Sequence, residues 1–257
     1  MRIQHIDKLG LSQEVKDILI ADAVLTVAFA LIFSGSVGGF LSKPSDFAYF
    51  LPIAFIAVSL SFILHEYMHK IVAQRFGAIA AFKKWNTGII ITLLSSMFGF
   101  LIGLPGATMI YTNRFTIEEE GYVSLAGPLT NFVVFIVFFI FSLLFGNVLS
   151  GHSYLQNIFA VTMFISVWLA FFNMLPIYPL DGSKVLRWNK GVYAVTLIII
   201  FAFLYYIAGI AIMSSLAFAL VSFKSTQNVS ERLAIFLFLF HFLHLFHPFL
   251  PNLLCIF

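Results

Sequence analysis

One five-residue stretch of the chain carries side chains that can do chemistry together: His65-Glu66-Tyr67-Met68-His69, an H-E-x-x-H sequence. On an α-helix, residues four apart project about 40° from one another, so both imidazoles reach one metal ion while Glu66 stands beside it to handle a proton. A buried histidine is ordinarily a hydrogen-bonded core residue. Here the three groups share one turn inside an apolar run, where an ionisable side chain costs on the order of 3 kcal/mol and persists by lining a cavity or pairing. That setting favours a metal site over packing.

Two histidines leave zinc short of a third protein ligand, with a fourth position kept for water or substrate. Glu118, Glu119 and Glu120 form a charged cluster that reads as a solvated loop face, whereas Asp22 and Asp181 lie in or at the ends of apolar runs. Asp181 closes the stretch Asn173-Met174-Leu175-Pro176-Ile177-Tyr178-Pro179-Leu180-Asp181-Gly182, whose two prolines cannot continue a regular helix. Prolines alone justify a plain helix end with turn residues. At membrane depth, however, a broken helix is tolerated where protein or a water-filled cavity satisfies the freed backbone groups.

The elements that must position these residues are membrane spans. Of 257 residues, 61% are hydrophobic and only 10% charged, against roughly a quarter charged in soluble domains, so a water-soluble protein is excluded. A net charge of +3 with scattered basic residues excludes a nucleic-acid surface, and the single cysteine, Cys255, excludes disulfides and thiolate metal clusters as organisers of the fold. Apolar runs near the ~20 residues needed to span hydrocarbon occupy 18–33, 47–69, 86–111, 122–145, 154–180, 192–223 and 233–247. Residues 1–17 form a polar head, and Asp22 inside the first run suits an anchor helix better than a cleaved signal. With no linker or repeat, 18–257 reads as one transmembrane domain.

Run 86–111 is the exception, because Gly88, Gly99, Gly103, Pro105 and Gly106 disfavour a regular helix. Read as a re-entrant hairpin, it puts eleven of the fourteen Lys and Arg on one face; read as a span, it weakens the split to nine against five. The positive-inside rule therefore favours the hairpin, about six full spans and a cytoplasmic amino terminus. Topology then tests the third ligand. In the hairpin arrangement His69 and Asp181 both fall at cytoplasmic span ends, at one depth. In the other arrangement most of ~30 Å separates them and no ion binds both.

H-E-x-x-H in one span and N-x-x-P-x-x-P-x-D-G in a later one resemble the site-2 protease family of intramembrane zinc metalloproteases. The intervening Ala126-Gly127-Pro128-Leu129-Thr130-Asn131 is similar to that family's A-G-P-x-x-N element. The matches cover core motifs within 64–187, about half the chain; one departure is Ser183, where many relatives carry a second glycine. The resemblance implies one Zn2+ held by His65, His69 and Asp181, Glu66 as catalytic acid/base, and Asn173 as donor to the substrate carbonyl. It further implies that Gly99 to Tyr111 belongs to a membrane-associated β-hairpin, between the second and third spans, that pairs with an unwound substrate. Gly103, Pro105, Gly106 and Asn131 are then the expected substrate-binding residues.

The expected protein is an all-α polytopic protein of the cell membrane that hydrolyses peptide bonds of transmembrane substrates near the cytoplasmic side. Its partners would be those substrates and the bilayer. A metal-ion or proton-coupled transporter using the same residues is the alternative, but it needs polar stepping stones through both halves of the bilayer, and the sequence offers little besides Asp22 and His241, His244 and His247. Those three late histidines spread over ~120° of a helix, and read more readily as a polar stripe than as a second metal site.

Overall fold

The computed structural model describes residues 3–111, 115–149 and 152–204, with side chains described for 13–111, 115–146 and 152–204. The chain begins with α1 (Ile3–Phe33), α2 (Ser36–Ser42) and α3 (Pro44–Val58), which runs through a wider π-type turn at Ser59–Ile63 into α4 (Leu64–Arg75). Strand β1 (Ile79–Lys84), α5 (Asn86–Met97) and β2 (Gly106–Tyr111) follow, then α6 (Ile117–Leu149), α7 (Ser153–Asn173) and α8 (Asp181–Trp188). A further apolar helix occupies Lys190–Leu204.

Among the described residues three helices are long and apolar enough to cross a membrane: Pro44–Arg75, Ile117–Gly146 and Ser153–Asn173. The bent pair Gln13–Phe33 and Ser36–Ser42, broken by 73°, makes a fourth if counted as one span. The expected runs 18–33, 47–69, 122–145 and 154–180 fall on these elements, the last shortened to Asn173 where the proline-containing stretch begins. The expected run 192–223 is described only as far as residue 204, while 233–247, with His241, His244 and His247, lies outside the described residues.

Segment 86–111 corrects the sequence reading. It is not by itself a hairpin: β2 pairs antiparallel with β1, which the sequence placed in a basic connecting loop, in the register Ile79↔Tyr111, Phe82↔Thr108 and Lys84↔Gly106. The intervening α5 forms despite Gly88 because that glycine is a close-approach site, where a Cβ would fall 1.8 Å from the Leu104 carbonyl oxygen. Side chains of α5 then satisfy the returning backbone. Thr92 Oγ1 accepts the Leu104 amide at 3.2 Å and Ser95 Oγ accepts the Ile102 amide at 3.0 Å.

The main apolar core joins α1, α3 and α7 through Leu25, Phe29, Ile53, Val58, Phe62 and Ile165, with Ala21, Ala28, Ala54 and Ala57 allowing close backbone approach. Two polar ties cross this core at the π-type turn: Ser59 donates to Asp22 Oδ2 at 3.0 Å, and the hydroxyls of Ser61 and Ser166 lie 2.7 Å apart. Helix α1 also covers the outer edge of β1. Glu14 Oε1 accepts the Phe82 amide at 3.1 Å, and Glu14 forms an ion pair with Lys70 of α4 at 2.7 Å. The edge amides that would otherwise lack strand partners are thus satisfied by carboxylates.

Candidate metal centre

Two helices converge on one point. Helix α4 contributes His65 and His69, and α8 contributes Asp181 at its first residue, all three buried. The two Nε2 atoms lie 3.0 Å apart, and Asp181 Oδ2 is 3.1 Å from Nε2 of His69 and 3.4 Å from that of His65. Asp181 reaches this position because the stretch after α7 folds back tightly. A Cβ at Gly182 would fall 2.1 Å from the Met174 carbonyl oxygen, so the residue after the ligand has to be glycine. Ser183, one residue further, hydrogen-bonds the Leu180 carbonyl at 2.7 Å and fits the first turn of α8.

The residues fit a metal ion by several criteria. Ligands about 2.0–2.1 Å from zinc at tetrahedral angles are separated by about 3.3 Å, which the 3.0–3.4 Å triangle approximates. The opposite nitrogens are oriented as metal-binding imidazoles require. His69 Nδ1 donates to the Val123 carbonyl of α6 at 2.7 Å, leaving Nε2 as the ligand atom. His65 Nδ1 lies 3.2 Å from the side-chain amide of Asn131, whose Oδ1 has no hydrogen-bond partner among the described residues. Turning that amide over lets Oδ1 accept the Nδ1 proton, which satisfies the orphaned oxygen and again frees Nε2. Gly127 completes the cradle: a Cβ there would fall 2.5 Å from both Nε2 atoms.

Burial by itself pushes the Asp181 carboxyl upward, but a protonated His69 and hydrogen bonds from both imidazoles, whose place a bound cation would take, outweigh it and hold the group well below the usual carboxylate range. Lys184, one turn along α8, adds an ammonium 3.7 Å from Oδ1. The aspartate is therefore held ionised, as a ligand must be.

A cavity of about 210 Å³ opens beside the triangle. Glu66 and Asn173 line it together with Gly103, Pro105 and Gly106, so most of the residues singled out in the sequence share one space. Asn131 is not among the residues lining it; it is fully buried, with its side-chain amide beside Nδ1 of His65. Asp22 is not part of the ligand cluster. Sequence reasoning missed three features: the Val123 carbonyl, a main-chain group that leaves no side-chain signal; Thr108, whose amide and hydroxyl both reach Glu66; and the steric role of Gly127, which a motif does not reveal.

A helical chain with several apolar spans that gathers H-E-x-x-H and a distant aspartate into one ligand triangle defines a multi-pass membrane metalloprotease. A model described as Peptidase family M50 matches residues 148–192, which contain Asn173 and Asp181. The Methanocaldococcus jannaschii protein MJ0611, provisionally named a zinc metalloprotease, is 45% identical over 146 residues, covering 56% of this chain and 73% of that protein. Zinc metalloprotease MJ0392 of the same organism is 26% identical over 191 residues, 74% of this chain and 43% of its own length. The Bacillus subtilis protein YwhC, also provisionally named a zinc metalloprotease, is 30% identical over 157 residues, 53% of this chain and 68% of its own. No solved structure matches the chain. The chain belongs to peptidase family M50, the site-2 protease family.

Proposed function

We propose that the chain is an intramembrane zinc endopeptidase that cuts membrane-spanning substrates near the cytoplasmic face, with one zinc ion per chain held by His65, His69 and Asp181. The observation that carries this reading is the convergence of two Nε2 atoms and one carboxylate oxygen within 3.4 Å of one another, beside a cavity that Glu66 lines. Bound there, zinc supplies Lewis acidity that brings the pKa of water to about 7 and polarises a carbonyl.

The protein's own residues do the rest. Glu66 takes the proton of the attacking water and returns it to the leaving amine. Asn173 stabilises charge developing on the scissile carbonyl oxygen: one of its two amide protons is used on the Leu169 carbonyl at 3.0 Å, and the second is available to the substrate. Gly103, Pro105 and Gly106 form a wall with little side-chain bulk, suited to an extended backbone. A helical substrate shields its carbonyls in hydrogen bonds, so it must unwind first, and Gly, Pro or Asn near the cut favours this. Asn131 holds His65. The positive-inside count supports a cytoplasmic amino terminus, and the apolar helices support a place in a membrane, which we take to be the cell membrane.

Glu66→Gln tests the assignment, because it keeps the side-chain shape but removes the base. With purified protein and a tagged membrane substrate, zinc content stays at the wild-type level and cleavage falls by about 10²–10⁴-fold. Full cleavage by this variant in a protease-free preparation defeats Glu66 as the acid/base, and zinc flux into proteoliposomes without hydrolysis by the wild type would point to transport instead.

A further inference from the structure

We infer that Thr108 of β2 is a positioning residue for the Glu66 carboxylate, an inference that rests on Glu66 being the acid/base. Thr108 meets Glu66 Oε2 twice, through its amide at 2.9 Å and its hydroxyl at 2.8 Å. The same hydroxyl lies 3.2 Å from the Glu66 main-chain oxygen, but it has one proton and Oε2 is the nearer acceptor.

The strand register explains why the amide is available. Thr108 stands opposite Phe82, whose own amide points away from β2 to Glu14 on the far edge of the sheet. In an antiparallel ladder the two residues of such a non-hydrogen-bonded pair both turn their main-chain groups outward, so the Thr108 amide faces away from β1. Glu66 of α4 takes it, and α4 is the helix that supplies both imidazoles.

The arrangement suits an acid/base more than a plain strand-to-helix tie. Glutamate has three rotatable bonds, and the freedom they allow must be removed before its carboxylate can meet a proton in a fixed geometry. Two donors on a single oxygen fix the carboxyl plane while leaving Oε1 for the proton. Because one donor is a strand amide, the base is held to the same strand whose Gly106 lines the cavity, and its position relative to a bound backbone is set by β2.

The full-length, zinc-loaded protein with a tagged membrane substrate gives the test. Thr108→Val keeps the branched shape and the amide but loses the hydroxyl. Zinc content and KM remain at the wild-type level while kcat falls about tenfold, less than the roughly 10²–10⁴-fold that acid/base catalysis contributes because the amide donor to Glu66 remains, and Thr108→Ser restores kcat. Wild-type kcat in Thr108→Val, an equal loss in Thr108→Ser, or a loss that follows zinc content overturns the inference. Amide exchange supplies a readout independent of turnover: exchange across 106–111 quickens in Glu66→Ala with zinc bound, and unchanged exchange also counts against the contact. Active Glu66→Gln would defeat the acid/base role on which the inference rests; inactive Glu66→Gln beside fully active Thr108→Val defeats only the role of Thr108.

Discussion

Asp22 and Asp181 are both buried carboxylates associated with apolar runs, and their surroundings differ in nearly every respect. Asp181 has two imidazoles within 3.4 Å and a lysine ammonium within 3.7 Å. Among the described residues Asp22 has one hydroxyl, that of Ser59, and its Oδ1 has no hydrogen-bond partner; neither does Oγ1 of Thr26, one helical turn away. A buried acidic group in an apolar chain therefore marks polar demand, not function. What separates the two is convergence: Asp181 joins groups from another helix that offer lone pairs to the same point, whereas Asp22 ties α1 to the π-type turn that precedes α4.

The largest effects should break the Asp181 side alone. Asp181→Asn removes the charged ligand, and Gly127→Ala puts a methyl group where the structure leaves 2.5 Å to both Nε2 atoms. Each should abolish zinc retention after dialysis, measured by metal analysis, and cleavage with it. Gly127→Ala is the sharper of the two because it touches no ligand chemically; zinc-replete Gly127→Ala protein would show that the ligand atoms do not meet zinc beside that glycine.

Intermediate effects should come from the groups that hold each carboxylate's neighbourhood. Asn131→Ala leaves the His65 Nδ1 without its partner, and loss of such a support typically lowers metal affinity 10–100-fold, readable by competition with a chelator. Ser59→Ala removes the hydroxyl on Asp22 and should cost about 1 kcal/mol of stability, as intramembrane hydrogen bonds do, with zinc affinity unaltered. Equal zinc affinities in Asn131→Ala and Ser59→Ala would erase the distinction drawn between the two sites.

The same contrast shows how far the sequence could be read. His65 and His69 needed only helical spacing to share a face, and the charge asymmetry of the loops was enough to bring Asp181 to their depth. Apolar length located the helices Pro44–Arg75, Ile117–Gly146 and Ser153–Asn173. The sheet was not legible in this way, because β1 carries Lys83 and Lys84 and reads as a basic loop until β2, some 25 residues later, pairs with it. Gly88 looked like a helix breaker and is instead a contact point within α5. The A-G-P-x-x-N pattern does not reveal that Asn131 lies beside His65, a contact set by how α6 packs on α4. Pairing and packing over long separations leave no local periodicity, which is why these features had to wait for the structure.

The smallest effect belongs to Asp22→Asn. Asparagine keeps the size of the side chain and an oxygen for the Ser59 hydroxyl, and it replaces an oxygen that has no partner among the described residues with an uncharged amide nitrogen. Removing a buried unpaired acceptor usually helps rather than harms, because its desolvation is no longer left uncompensated. The variant should therefore bind zinc and cleave as the wild type does, and its thermal midpoint in detergent should stay level or rise. A fall in zinc content or turnover would mean that Asp22 is coupled to the centre through the π-type turn and α4, making the two carboxylates parts of one system rather than a site and a strut.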